Sequence, residues 1–128
     1  PLQERCDLRF LDVADGMEWL PGIRIRLANG HTDAMMLPQI TCNGRTLLYC
    51  ADLLPSVAHL SLPWVMGYDM RPLDTLSEKK RLLNEAAAGN WLLFFEHDPK
   101  NEVCSVQNTE KGVRAGEVMT LDASGMNG

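Results

Sequence analysis

Three residues able to ligate a metal ion stand at similar places in the chain. His31 follows an apolar run that ends near Ala28, Asp52 ends the run that begins at Thr46, and His97 lies just past the run that begins at Trp91. If these runs are strands lying side by side in one sheet, the three side chains converge on one rim. Ligands of α/β sheets gather beyond the carboxyl ends of the strands. Imidazole and carboxylate are suitable donors for zinc, manganese or iron. Each residue also has a plainer reading. His31 lies in Gly30-His31-Thr32-Asp33-Ala34-Met35, where a polar side chain after glycine suits a turn. Asp52 suits a turn leading into Leu53, and His97-Asp98-Pro99 suits the polar exit of a strand.

Periodicity and turn signals give the elements that must position these residues. A first strand is expected over residues 8–13, before turns at Asp15-Gly16 and Pro21-Gly22. In Ile23-Arg24-Ile25-Arg26-Leu27 the apolar residues fall on one face and the arginines on the other, the pattern of a half-buried strand. Residues 30–33 form a loop. Residues 34–41 and 46–51 flank Asn43-Gly44, a hairpin signal because both residues tolerate positive φ. The second of these runs is nearly all apolar and suits a strand covered on both faces. Pro55, Pro63 and Pro72 exclude long regular elements over residues 53–74, leaving room for a helical turn around residues 56–60.

Thr75-Leu76-Ser77-Glu78 has the form of a capping box. Leu76, Leu83, Ala86 and Ala87, widened by Leu82, then form an apolar stripe at helical spacing. Gly89 or Asn90 is expected to end this helix in the left-handed conformation. Residues 91–95 read as a second buried strand, and residues 102–107 and 113–121 as a closing hairpin around Gly112.

Composition narrows the function classes. The 128 residues suffice for one domain with one core. A hydrophobic share of 45% and a charged share of 23% fit a soluble globular protein. A net charge of -5 without a basic tract argues against nucleic acid as a partner. No apolar run approaches the roughly 20 residues of a membrane span, and no signal peptide is visible. Cys6, Cys42, Cys50 and Cys104 contain no C-x-x-C pair, which argues against a thiolate zinc site. Cys50 is expected to be a small buried hydrophobe. Nothing suggests a disulfide scaffold, so a reducing cytoplasm is the expected location.

Gly30-His31-Thr32, Ala51-Asp52-Leu53 and Glu96-His97-Asp98 resemble, in order and spacing, the later ligand motifs of metallo-β-lactamase-fold hydrolases. The intervening Leu54-Pro55-Ser56-Val57-Ala58-His59-Leu60-Ser61-Leu62-Pro63-Trp64, with Tyr68-Asp69 and Pro72, is similar to a lactonase-like, zinc-dependent branch of that superfamily. The resemblance runs from about Leu20 to about Glu110. It implies an α/β (α+β) fold, the family domain being an αββα sandwich built from two βα halves. It also implies two metals, most often zinc, with His31 on one, His97 on the other and Asp52 bridging them as the catalytic carboxylate. A metal-held hydroxide would then attack a carbonyl or phosphoryl centre of an ester, lactone, thioester or phosphoester. Within the same resemblance, His59, Tyr68 and Asp33 are candidates for the substrate pocket or for contacts behind the ligands; as plain loop residues they need no such role.

Two departures from the family pattern matter. Many relatives read Gly-His-Thr-Pro-Gly-His where this chain has Asp33-Ala34-Met35 after Thr32. The second histidine of that pattern is not normally a ligand, so its loss leaves metal binding possible. More consequentially, the earlier His-x-His-x-Asp-His motif is absent, since the only histidines are His31, His59 and His97. That motif supplies most ligands to both metals. Together with a first residue of Pro instead of Met, this leads to the expectation that residues 1–128 are the C-terminal half of a longer hydrolase. The expected partners are then a small-molecule substrate and the missing N-terminal half, with a homodimer through an exposed sheet face as a further option. Metal binding and activity of these residues alone are expected to be weak or absent. The competing reading is a complete but degenerate relative that serves as a non-catalytic binding or scaffold module.

Overall fold

A computed structural model of the chain describes residues 8–126. Its elements are β1 (Met17–Leu20), β2 (Ile23–Ala28), β3 (Met35–Cys42), β4 (Arg45–Tyr49), α1 (Pro72–Ala88), β5 (Leu92–Phe94), β6 (Val103–Thr109) and β7 (Gly112–Met119). The strands form one seven-stranded sheet in chain order. All neighbours are antiparallel except β4 and β5, which run parallel. A parallel pair requires a long crossover. Here the crossover holds the 3-10 turns Ala51–Leu53 and Val57–Leu60 and then α1. The result is an α+β fold.

Local chemistry accounts for most of these elements. Asn43 and Gly44 both take positive φ, 52° and 74°, and close the β3–β4 hairpin as expected. Asn90, at φ 52°, supplies the left-handed residue after α1. The turn expected around residues 56–60 is the 3-10 turn Val57–Leu60. The first strand is displaced from its expected place: residues 8–13 are not a strand, and β1 comes after the Asp15-Gly16 turn. Antiparallel pairing with β2 selects β1, through Met17 opposite Ile25 and Glu18 opposite Arg24. Cys6 lies outside the described residues.

The sheet has two apolar faces. One is covered by α1, which places Leu82, Leu83 and Ala86 over Leu37, Leu48, Cys50, Leu93 and Cys104. On the other, Leu47, Leu92 and Val103 gather with Phe94, Met119 and Met126. Neighbouring residues of β4 therefore serve opposite cores, which explains its nearly continuous apolar run. Cys50 and Cys104 are buried free thiols. Burial pushes both thiols up, Cys104 to about 12.

Strand β2 turns an arginine toward the helix. Arg26 is only 7% exposed. Its Nη1 donates to Glu85 Oε2 at 2.6 Å, its Nε donates to Asp15 Oδ1 at 3.2 Å, and its guanidinium stands 5.9 Å from the Trp91 ring centre. Alternation separates the arginines from the isoleucines correctly but does not say which face meets α1.

Helix α1 differs from its sequence pattern in two ways. It begins at Pro72, in the first-turn position that suits a residue without an N–H. Thr75 is thus buried inside the helix, its hydroxyl 3.4 Å from the Arg71 carbonyl, and no capping box forms. The inward stripe is Thr75, Lys79, Leu82, Leu83 and Ala86, while Leu76 is 36% exposed. Lys79 is fully buried because its three ammonium protons have three acceptors: the carbonyls of Ser61 at 2.7 Å, Trp64 at 2.8 Å and Leu62 at 3.3 Å. Burial pushes its pKa down to about 8, while the negative charge of Asp69 pulls it upward.

Lys79 on this stripe and Leu76 beside it should respond differently to truncation. Lys79→Met should lower the unfolding free energy by about 3 kcal/mol or more, because it strips three buried carbonyls of their donor. Leu76→Ala should cost under about 1 kcal/mol, because that side chain is already partly in water. Urea unfolding of the two variants beside the parent chain measures both.

Candidate metal centre

Strand direction brings the three candidate ligands together. β2 and β4 are each antiparallel to β3, and β5 is parallel to β4, so β2, β4 and β5 end on the same rim. There, His31 Nε2 lies 3.4 Å from Asp52 Oδ2 and His97 Nε2 lies 3.1 Å from Asp52 Oδ1. Asp52 sits within the 3-10 turn Ala51–Leu53. Just before it, Ala51 takes φ 43°, a left-handed conformation that costs a non-glycine residue on the order of 1–2 kcal/mol. This bend ends the β4 direction and turns the Asp52 carboxylate onto the rim.

The start of α1 fastens the turn that carries His31. Glu78 does not cap its own helix. Its carboxylate instead accepts from the backbone N–H groups of Asn29 at 2.8 Å and Gly30 at 3.1 Å. The Arg71 side chain donates to the Asn29 carbonyl at 2.8 Å, and the Arg71 amide donates to the Gly30 carbonyl at the same distance. The Met70 amide reaches the His31 carbonyl at 3.3 Å. Gly30 is required by this close approach, since a Cβ there would lie 2.2 Å from the backbone N of Thr75. Beside the turn, Asp69 Oδ1 is 2.8 Å from His31 Nδ1.

His97 is held by the crossover on its other side. Its amide donates to the Pro55 carbonyl at 3.2 Å. Asp98 organises the turn beyond it, accepting from the amides of Val57, Lys100 and Asn101, each at 3.0 Å. Burial opposes ionisation of Asp98, but these bonds, with the Asn101 side chain, hold it below the usual carboxylate range. The Tyr49 phenol, hydrogen-bonded to Glu96, is pushed up to about 12.

A cleft of about 480 Å³ opens beside His97, lined also by Ser56, His59, Met66, Gly67 and Tyr68. His59 Nδ1 is 2.9 Å from Ser56 Oγ, and burial with the nearby Lys79 charge lowers its pKa. Tyr68 reaches from the cleft toward the rim, its ring centre 6.0 Å from that of His31 in edge-on contact. Asp33 is exposed and pairs with Arg71 at 2.7 Å. Asp69 and Glu78 were not distinguishable as site residues by type or spacing. The signal for Glu78 was present in Pro72, which moves the helix start and frees that carboxylate for the turn.

The donor set can be tested against a metal. Among the described residues, no group of three or more His, Cys, Asp or Glu side chains is placed to hold one ion. The two imidazoles face different oxygens of Asp52. They fit a carboxylate shared between two ions, with one histidine on each. Such a set would supply part of two sites, short of the three protein ligands usual for catalytic zinc.

Comparison with known proteins agrees on the fold. No protein-family model matches the chain. No curated protein matches it either. Among solved structures, a probable metal-dependent hydrolase from Staphylococcus aureus superposes with a TM-score of 0.70 at 21% identity, over 84% of this chain and 40% of that one. AidC, a dizinc quorum-quenching lactonase in complex with a product, gives 0.74 at 21% identity, over 91% and 40%. The hydrolase AbOPH of the β-lactamase superfamily gives 0.77 at 14% identity, over 94% and 41%. This chain thus has the fold of part of the metallo-β-lactamase domain and spans about two fifths of the length of these hydrolases. Among the described residues, no helix is long and apolar enough to cross a membrane.

Gly30→Ala should disrupt the His31 turn by driving a methyl group into α1. Thermal unfolding should show a loss of about 1–3 kcal/mol. Gly44→Ala, at a turn with open space around its missing Cβ, provides a control that strains φ without a clash.

Proposed function

We propose that the chain is the C-terminal part of a metal-dependent hydrolase of the metallo-β-lactamase superfamily. The observation that carries this reading is Asp52, with one imidazole Nε2 against each of its oxygens. On this reading His31 would help hold one metal, His97 the other, and Asp52 would be shared between them. Zinc is the favoured ion, with manganese or iron as compatible alternatives. When bound, such a pair supplies Lewis acidity and an activated water for cleavage of an ester, lactone, thioester or phosphoester. The chain's own residues supply orientation. Asp98 and Pro55 hold the His97 turn, and His59 and Tyr68 line the cleft where a substrate would lie beside His97. Asp33, paired with Arg71, bears on the shape of the His31 loop.

The remaining ligands come, on this reading, from an N-terminal half carrying a His-x-His-x-Asp-His motif. The length of the similar hydrolases supports this. So does the second sheet face, where Ile40, Leu47, Tyr49, Phe94 and Leu121 border an apolar cleft of about 370 Å³. The missing half would cover that face, and in its absence a second copy of the chain would meet it. The free thiols of Cys42, Cys50 and Cys104 are in keeping with a cytoplasmic location.

The 128-residue chain alone should show no stoichiometric zinc binding at micromolar concentration in calorimetry, and should sediment as a concentration-dependent dimer. Tight binding by the chain alone would show that its site is complete, and a monomer at high concentration would count against the uncovered face. The longer gene product should contain two metals per chain and hydrolyse a lactone or phosphoester. Asp52→Ala should reduce that rate by more than the roughly 10–100-fold typical of losing an outer hydrogen-bond partner. Unchanged hydrolysis would refute the bridging role.

A further inference from the structure

Asp69 is an unusual carboxylate for a loop. Its side chain is 1% exposed, and Oδ1 makes the 2.8 Å contact with His31 Nδ1. Among the described residues, Oδ2 is buried without a hydrogen-bond partner. Burying a carboxylate is costly unless its charge is compensated. Here Lys79 and His59 lie within electrostatic reach of it. The loop that delivers Asp69 is pinned at both ends. Lys79 gathers the carbonyls of Ser61, Leu62 and Trp64 at one end, and the Met70 and Arg71 amides bond to His31 and Gly30 at the other.

We infer that Asp69 is a positioning residue that fixes the tautomer and direction of His31. The inference rests on His31 being a metal ligand but asks something different of the chain. Both ring nitrogens of His31 face a carboxylate, Nδ1 against the buried Asp69 at 2.8 Å and Nε2 against the more exposed Asp52 at 3.4 Å, and the shorter, buried contact favours the proton of a neutral His31 on Nδ1. Nε2, the nitrogen facing Asp52, is left with its lone pair free. A ligating histidine needs that state, and a partner on its other nitrogen both selects it and stops the ring rotating. The geometry favours it without any metal: the Asp69 acceptor is already within hydrogen-bond distance, inside a loop braced by a buried ammonium. His97 differs. It is 54% exposed, and among the described residues no hydrogen-bond or ion-pair partner is found for its Nδ1.

The test is a long-range ¹H–¹⁵N spectrum of the histidine rings of the metal-free chain, recorded at about pH 9, above the ordinary imidazole range near 6.5. His31 should be almost wholly in the Nδ1–H form. Asp69→Ala should reduce that form to a minority, and Asp69→Asn, whose amide oxygen can still accept, should largely restore it. An Nε2–H majority for His31 in the parent chain would overturn the inference even if no variant folds, and so would an Asp69→Ala spectrum unchanged from the parent. In the longer gene product, Asp69→Ala should weaken zinc binding by about 10–100-fold. Unchanged zinc affinity would overturn the positioning role. A longer protein that binds no metal at all, beside the expected tautomer in the short chain, would reject the hydrolase reading and leave the Asp69–His31 pairing in place.

Discussion

The parallel contact between β4 and β5 is the constraint on which the rest of the molecule depends. Leu47, Leu48 and Tyr49 pair with Leu92, Leu93 and Phe94 in the same direction, so the chain must leave one end of the sheet and re-enter at the other. That return path is the crossover, and α1 lies along it. Two consequences follow together. Asp52 and His97, far apart in the chain, leave neighbouring strands on one rim. The helix that covers one sheet face also brings its first turns against the loop that carries His31. An antiparallel β4–β5 pair would send His97 to the opposite rim and leave Asp52 without its second imidazole.

The first turns of α1 carry much of the rim's organisation. Thr75 abuts Gly30, Glu78 accepts from the backbone of Asn29 and Gly30, and Lys79 binds the loop that leads to Asp69. Three helical residues thereby order two loops, each delivering one partner of the His31–Asp69 pair. The buried charges are stabilised by specific acceptors and counter-charges, so this part of the fold is sensitive to single substitutions that an apolar core would absorb.

Much of this was legible in the sequence where local chemistry decides the outcome. Asn43-Gly44, the buried runs of β4 and β5, and the convergence of His31, Asp52 and His97 depend on turn preference, hydrophobic continuity and strand direction. What escaped depends on tertiary contact. Glu78 has the spacing of a cap but serves another loop. Lys79 sits at an inward position that periodicity assigns to an apolar residue, and only the three loop carbonyls make its burial tolerable. Asp69 looks like any polar loop residue until the loop is folded against the 29–31 turn. Arg26 alternates as a surface residue should, yet Glu85 and Asp15 hold it beneath the helix. Each of these four is a charged group whose partner comes from another element.

The rim has a further property in the thiols beneath it. Cys50 lies two residues from Asp52, and Cys104 stands across from Leu93 in the adjoining β5–β6 pair. Both are fully buried and held firmly in the protonated form. Oxidation and alkylation of cysteine proceed through the exposed thiolate. Peroxide or iodoacetamide reaching the rim therefore leaves these two thiols unmodified, and the exposed thioether of Met70 beside it is the sulfur that peroxide meets first.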